Sequence, residues 1–334
     1  MKNPIYIKDD SLVILGENLT LTALVTTNGK VKWSQNTNET LHSDYFLQSR
    51  NIVYGRTSHS LVGWNITTGT TNWNFAIPDS IGGYPFSGDA INQDTVYVAL
   101  ADYILQVSLD TGMEQMYPVR GGANTLQYRN GQLYYLNNWG EWKADGVYDI
   151  GTITCLASHT GDTLWSFMPE GVPPSYTAPI LLDETTLYFG TVSLSGKTTD
   201  LFRTYALDAD DGSLVWKTNK EVFTYHHILI GDTIYGNDGL GLYALDKHTG
   251  ELLWQTDLEV GHGERPVAYL DGYLYHAKGG ALHVVDAQTG EIVISRMLGP
   301  DKSSVRVASA GAGAVFVQTN QHLYCYEPYQ PGEE

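Results

Sequence analysis

Seven times along this chain a glycine recurs at intervals near forty residues. The glycines are Gly29, Gly69, Gly112, Gly161, Gly212, Gly250 and Gly290, spaced by 40, 43, 49, 51, 38 and 40 residues. Trp33, Trp73, Trp165, Trp216 and Trp254 stand four residues after their glycines, with Met116 and Ile294 in the two remaining places. A period of that length is that of a four-stranded propeller blade, and helical repeats run shorter, at about 33 to 34 residues. A cofactor box would not be repeated around a ring. A large flat residue wedged between neighbouring sheets would be, because each blade must bury a face against the next.

The turn carries its own chemistry. Glycine takes a positive φ where the chain reverses between two strands. Four residues earlier stand Asp208, Asp246 and Asp286, with Asn65 and Ser108 as weaker versions. A short acidic or amide side chain there accepts backbone N–H bonds within the turn. A calcium loop is not expected, because the glutamate that would close one is missing.

Between turns come strand-like runs in constant order, as in "APILLD", "TLYFGTV", "LFRTYALDA" and "SLVW" from Ala178 to Trp216. Seven such units, then "VRVASA", "AVFVQT" and "HLYCYE", predict an all-β, eight-bladed β-propeller of four-stranded antiparallel blades, with seven blades as the alternative. One strand is lacking from that ring. Either residues 4–9 supply the outer strand of the last blade, or one blade has three strands. No linker or composition break interrupts the series, so residues 1–334 read as one domain.

A formal charge of −18 without any run of Lys or Arg argues against nucleic acid and anionic membrane surfaces. No apolar stretch of about 18 residues predicts a membrane span. The first residues, "MKNPIYIKDD", lack the apolar run of a signal peptide and show no lipid-bearing cysteine. As written the chain is expected in the cytoplasm, or in the periplasm or exported if it is a mature domain.

The pattern A-L-D-x-x-T-G-x-x-x-W, seen in "ALDADDGSLVW" and "ALDKHTGELLW", resembles the repeat of the PQQ-like (quinoprotein-type) propeller family. Two branches of that family matter. Quinoprotein alcohol dehydrogenases carry PQQ with calcium, are far longer, and hold a disulfide between adjacent cysteines over the quinone. The BamB-like branch is a non-catalytic scaffold of outer-membrane barrel assembly. Here Cys155 and Cys325 fall on the third strands of units four and eight, too far apart to bridge, and both are expected as buried free thiols. The resemblance therefore implies the non-catalytic branch, with no cofactor and no metal expected.

No phosphate loop, metal-spaced Cys/His set or nucleophile elbow occurs, so no catalytic residue is assigned. His226 and His227 are adjacent on a strand and point to opposite faces, which rules out shared chelation. His262 and Glu264 read as solvated loop residues. Geometry is more informative. Loops entering each first strand share a face with the loops between second and third strands, and the other face carries the tight glycine turns. The first face holds the long insertions 137–151 and 192–200 and the long entries 78–89 and 168–179. Binding is therefore expected there, on loop aromatics Tyr84, Trp139, Trp142, Tyr148 and Tyr176. A polar column just before the first strands, Asp44, Ser87, Asn124, Ala178, Tyr225, Arg265 and Arg306, is expected to line the channel mouth beside His226. Arg265 and Arg306 as neighbours would suit a small anionic ligand. The expected function is a non-enzymatic scaffold for a protein or peptide partner. The alternative is a ligand-binding sensor or enzyme with a small-molecule site at the channel mouth. The turn face, with Lys247 and His248, is expected to be solvated and unused.

Overall fold

Short runs of β-branched and aromatic residues between Gly- and Asp-containing turns favour strands. In the computed structural model they form antiparallel sheets, and no helix occurs among the described residues. The structure describes residues 5–8, 11–15, 19–39, 47–49, 51–57, 59–77, 90–100, 103–109, 112–119, 123–143, 146–169, 180–191, 203–218, 226–238, 240–258, 267–278, 280–298, 307–311, 313–318 and 322–332.

Each sheet takes its strands in chain order. The first holds β1 (Ile5–Lys8), β2 (Ser11–Leu15), β3 (Thr20–Val25) and β4 (Val31–Asn36). The second holds β5 (Leu47–Ser49), β6 (Ile52–Arg56), β7 (Ser60–Asn65) and β8 (Thr71–Ala76). In the third are β9 (Ala90–Ile91), β10 (Thr95–Ala99), β11 (Tyr103–Ser108) and β12 (Gly112–Pro118). The fourth comprises β13 (Ala123–Arg129), β14 (Gln132–Lys143), β15 (Gly146–Ala157) and β16 (Thr163–Phe167). In the fifth are β17 (Leu181–Leu182), β18 (Thr186–Thr191), β19 (Arg203–Asp208) and β20 (Leu214–Lys217). The sixth has β21 (His226–Ile230), β22 (Thr233–Asn237), β23 (Gly241–Asp246) and β24 (Leu252–Asp257). The seventh has β25 (Val267–Leu270), β26 (Tyr273–Lys278), β27 (Ala281–Asp286) and β28 (Ile292–Met297). The last described sheet has three strands, β29 (Val307–Gly311), β30 (Ala314–Gln318) and β31 (Leu323–Tyr326).

The repeat has a packing cause inside each sheet. Tyr188, Ala206 and Trp216 stand directly opposite one another across three strands, as do Tyr235, Ala244 and Trp254. Tyr134, Cys155 and Trp165 make the same row in the fourth sheet. The small middle residue lets the outer rings close over it, with centroids 5.8, 6.1 and 6.0 Å apart in the three rows. Aromatic pairs at such distances add stability beyond the area they bury.

The tryptophan then reaches the next sheet. The Nε1 groups of Trp33, Trp165, Trp216 and Trp254 donate to the carbonyls of Ile66, Ala209, Lys247 and Ala287, at 2.9, 3.2, 2.9 and 3.0 Å. Each acceptor follows the residue that caps the next glycine turn. Asp246 Oδ1 accepts from the amides of His248 and Thr249, and Asp286 Oδ1 accepts from those of Gln288 and Thr289. The same indole ring lies under the turn glycine of the neighbour. A Cβ on Gly250 would stand 2.4 Å from Trp216 Cε3, and one on Gly212 would stand 2.5 Å from Trp165 Cε3. Glycine is thus required twice over at Gly250, by its φ of +71° and by the ring pressed on it.

The third sheet corrects one expectation. Met116 does not take the tryptophan place: it is 39% exposed. Gln106 stands where the first, fifth and sixth sheets carry alanine, opposite Gln115. Tyr117, two residues beyond Gln115 on the same strand, lies under Gly161 instead, and its hydroxyl donates to the Ser158 carbonyl at 2.5 Å.

β1 is the first strand of its own sheet and pairs with β2, so residues 5–8 do not complete the last one. β29 instead lies alongside β1. After β31 the chain turns back onto the seventh sheet, where the Tyr329 ring meets Tyr273 edge-on at 4.7 Å and its amide donates to the Tyr275 hydroxyl at 3.0 Å. Cys155 is buried as expected, but Cys325 is exposed. The difference follows from position: Cys155 sits between two paired strands, whereas Cys325 is on the last strand of the three-stranded sheet.

Candidate functional site: two faces and a buried polar seam

The first face is dominated by one element. β14 and β15 are twelve residues each, twice the usual strand here, and they pair continuously from Gln132↔Ala157 to Lys143↔Gly146. β13 pairs with β14 no further than Asn137, and β16 meets β15 only between Ile153 and Leu156. Residues 138–143 and 146–151 thus form a two-stranded ribbon that overshoots its sheet. The insertion expected as a loop is a hairpin arm. Its register sets Trp139 opposite Ile150, Glu141 opposite Tyr148, and Trp142 opposite Val147. By the alternation of a strand, positions 139 and 148 fall on one face of the ribbon and position 142 on the other. Positions 139, 142 and 148 therefore do not all share one face of the ribbon.

Of the other expected site residues, Tyr84, Tyr176, Tyr225, Arg265 and Arg306 lie outside the described residues, as do Asp44, Ser87, Ala178, His262 and Glu264. Asn124 lies on β13. His226 opens β21 and is half-buried, directly opposite Asn237. His227 is buried, as alternation requires.

Asn237 leads to a feature that the sequence did not disclose. Its Nδ2 lies 3.3 Å from His276 Nε2 on the seventh sheet, and both residues are almost fully buried. His283 stands opposite His276, and its Nδ1 is 2.9 Å from Ser295 Oγ. Two residues beyond His276, Lys278 Nζ donates to the carbonyls of Leu240 and Leu258 on the sixth sheet. Burial holds both His283 and Lys278 below their ordinary pKa values, because desolvation penalises their charged forms. A similar cation joins the second and third sheets: Arg56, 1% exposed, donates from Nη1 to the Ala99 carbonyl at 2.8 Å. These groups hold sheets together through carbonyl oxygens at the ends nearest the ribbon face. Among the described residues, no group of three or more His, Cys, Asp or Glu could hold a metal ion.

The turn face is not merely solvated. Lys247 Nζ lies 3.0 Å from both Asp183 Oδ2 of the fifth sheet and Asp232 Oδ1 of the sixth. These carboxylates hold the ammonium above its ordinary pKa. His248 Nε2 is 3.3 Å from the same Asp232 oxygen. One interface earlier, the Arg129 guanidinium donates to the Glu184 carbonyl and to the Asp210 carboxylate of the fifth sheet.

Successive four-stranded antiparallel sheets, joined by aromatic wedges at a forty-residue period, define a β-propeller. The chain belongs to the family whose model is described as outer membrane protein assembly factor BamB, which matches residues 3–133 and 237–328. Among solved structures, it is similar to BamB from Moraxella catarrhalis, at 16% identity and a TM-score of 0.73, over 99% of this chain and 95% of that one. It is also similar to the computationally designed Ika8 protein, at 14% identity and a TM-score of 0.76, over 97% of this chain and 95% of that one. Comparison with curated proteins finds no match. No helix among the described residues is long and apolar enough to cross a membrane.

Proposed function

We propose that this chain is a single eight-bladed ring serving as a non-enzymatic scaffold, and that it docks a protein or peptide partner on the face bearing the β14–β15 ribbon. The observation that carries the reading is the overshoot of residues 138–143 and 146–151 beyond the neighbouring strands of their sheet. A ribbon whose edges no described strand pairs with, and which carries three aromatic positions, offers main-chain hydrogen bonds and side-chain anchors together, which suits strand addition by a partner. Aromatic side chains are favoured anchors at interfaces. Membership of a family described by an assembly factor agrees with a scaffold.

A second reading, a small-molecule site at the channel mouth, draws on His226 and the Asn237–His276 contact. In a sensor or enzyme, that polar seam would change protonation or hydrogen bonding when ligand arrives. The two readings part on one variant. Replacing residues 139–150 with a two-residue Asn-Gly turn removes the ribbon and keeps the sheet. On the scaffold reading, the variant folds normally and loses its cellular partner. On the channel reading, binding survives the deletion and is lost in His226→Ala.

A further inference from the structure

At two successive sheet interfaces on the turn face, a cation of the chain bridges to carboxylates, and among the described residues the next interface shows none. Between the fourth and fifth sheets, the Arg129 guanidinium lies beside Gln132 and reaches the Glu184 carbonyl and Asp210. Between the fifth and sixth, the Lys247 ammonium bridges Asp183 and Asp232. Both cations are mostly withdrawn from solvent, with side chains 13% and 15% exposed. The chain therefore places a cation of its own between sheets four and five and between sheets five and six.

Among the described residues, the interface between the sixth and seventh sheets has no such cation. Register sets Ile230 where Arg129 stands: each is the last residue of its first strand, paired with the residue that opens the second. Ala287 occupies the place of Lys247: each follows the capping aspartate and accepts the preceding tryptophan's Nε1–H. There a cleft of about 370 Å³ opens, lined chiefly by Tyr235, Trp254, Tyr269, Tyr273, Asp271 and Asp286, and among the described residues no Lys, Arg or His borders it. Tyr235 and Tyr269 stack with their planes 15° apart across the two sheets.

Aromatic faces attract cations, and a planar guanidinium stacks on them while donating to carboxylates. We propose that this cleft binds the guanidinium group of an arginine-bearing peptide, which takes the place that Arg129 and Lys247 fill at the two preceding interfaces. Selectivity would come from charge as well as shape, since Asp271 and Asp286 receive no compensating cation from the lining. The strong net negative charge of the chain draws basic segments toward it. The cleft is on the face opposite the ribbon, so this inference stands or falls independently of the proposed scaffold function.

The test uses the intact protein and two blocked peptides, acetyl-Gly-Arg-Gly-amide and its citrulline twin, with calorimetry as the readout. The arginine peptide should bind saturably, and the isosteric but uncharged citrulline peptide at least tenfold more weakly. Asp271→Asn should weaken arginine-peptide binding about tenfold, the scale of one charge-assisted hydrogen bond. Asparagine suits the φ of +49° at that position, so the variant should fold. Ile230→Arg combined with Gln288→Asp rebuilds the Arg129–Asp210 arrangement in the cleft and should abolish binding. Equal binding of both peptides, no saturation with either, or full affinity in the correctly folded Asp271→Asn variant would overturn the proposal.

Discussion

Trp216 lies beneath Gly250 of the next sheet, with its Cε3 2.4 Å from where a Cβ would stand and its Nε1 2.9 Å from the Lys247 carbonyl. The glycine of one unit is therefore explained by the tryptophan of the one before. Gly250→Ala should destabilise the protein by about 2 to 5 kcal/mol, combining the left-handed backbone cost with overpacking. Trp216→Ala should cost roughly 3 to 5 kcal/mol, as removal of a large core aromatic does. In the double variant the costs should fall well short of additive, because Trp216→Ala removes the ring that a methyl group at position 250 would strike. Urea denaturation measures all three.

His283 should make the protein acid-sensitive. Burial depresses its pKa, so the folded state favours the neutral ring. Stability from that ring is complete above the unfolded value of about 6.5, and is lost as pH falls below it. His283→Gln should lose less stability between pH 7.5 and 5 than the wild type, as read from denaturation midpoints at each pH.

Asp183 acts lower on the scale. The Glu184 amide first, and then Lys247, hold its carboxyl below the ordinary range. Its contribution is present above the unfolded value near pH ~4, and disappears as pH falls through the lowered folded one. Lys247→Ala should lower stability at neutral pH and flatten the loss below pH ~4. A variant indistinguishable from wild type at both ends would show the bridge to be idle.

The two cysteines should separate by reactivity. Burial pushes the Cys155 thiol up to about 12, whereas Cys325 is exposed. Partial desolvation also raises the Cys325 pKa, so its reaction should accelerate toward alkaline pH. A chromogenic disulfide reagent should titrate one thiol in the native protein and two after denaturation.

The strand order and the tryptophan wedge were legible in the sequence because each unit repeats the same local solution. What escaped it were compensations between units. In the third sheet Gln106 faces Gln115 and Tyr117 lies under the next turn glycine, so a search at fixed spacing finds Met116 instead. The ribbon is hard to see in the sequence because Lys143 pairs with Gly146, which leaves Ala144-Asp145 rather than Asp145-Gly146 between the strands. Lys247 looked solvated because Asp183, sixty-four positions earlier, becomes its neighbour only through the packing of two sheets. The Asn237–His276 contact is likewise set by the third dimension alone.

Docking on the ribbon face is the central claim, and site-directed photocrosslinking in cells that express the protein natively tests it most directly. A crosslinking amino acid would replace Trp142 or Tyr148 on the ribbon, and Thr68 or Thr160 on the turn face as controls. The account predicts that the ribbon positions give one discrete protein adduct that the turn-face positions do not. Adducts from Thr68 or Thr160 with none from the ribbon would contradict it.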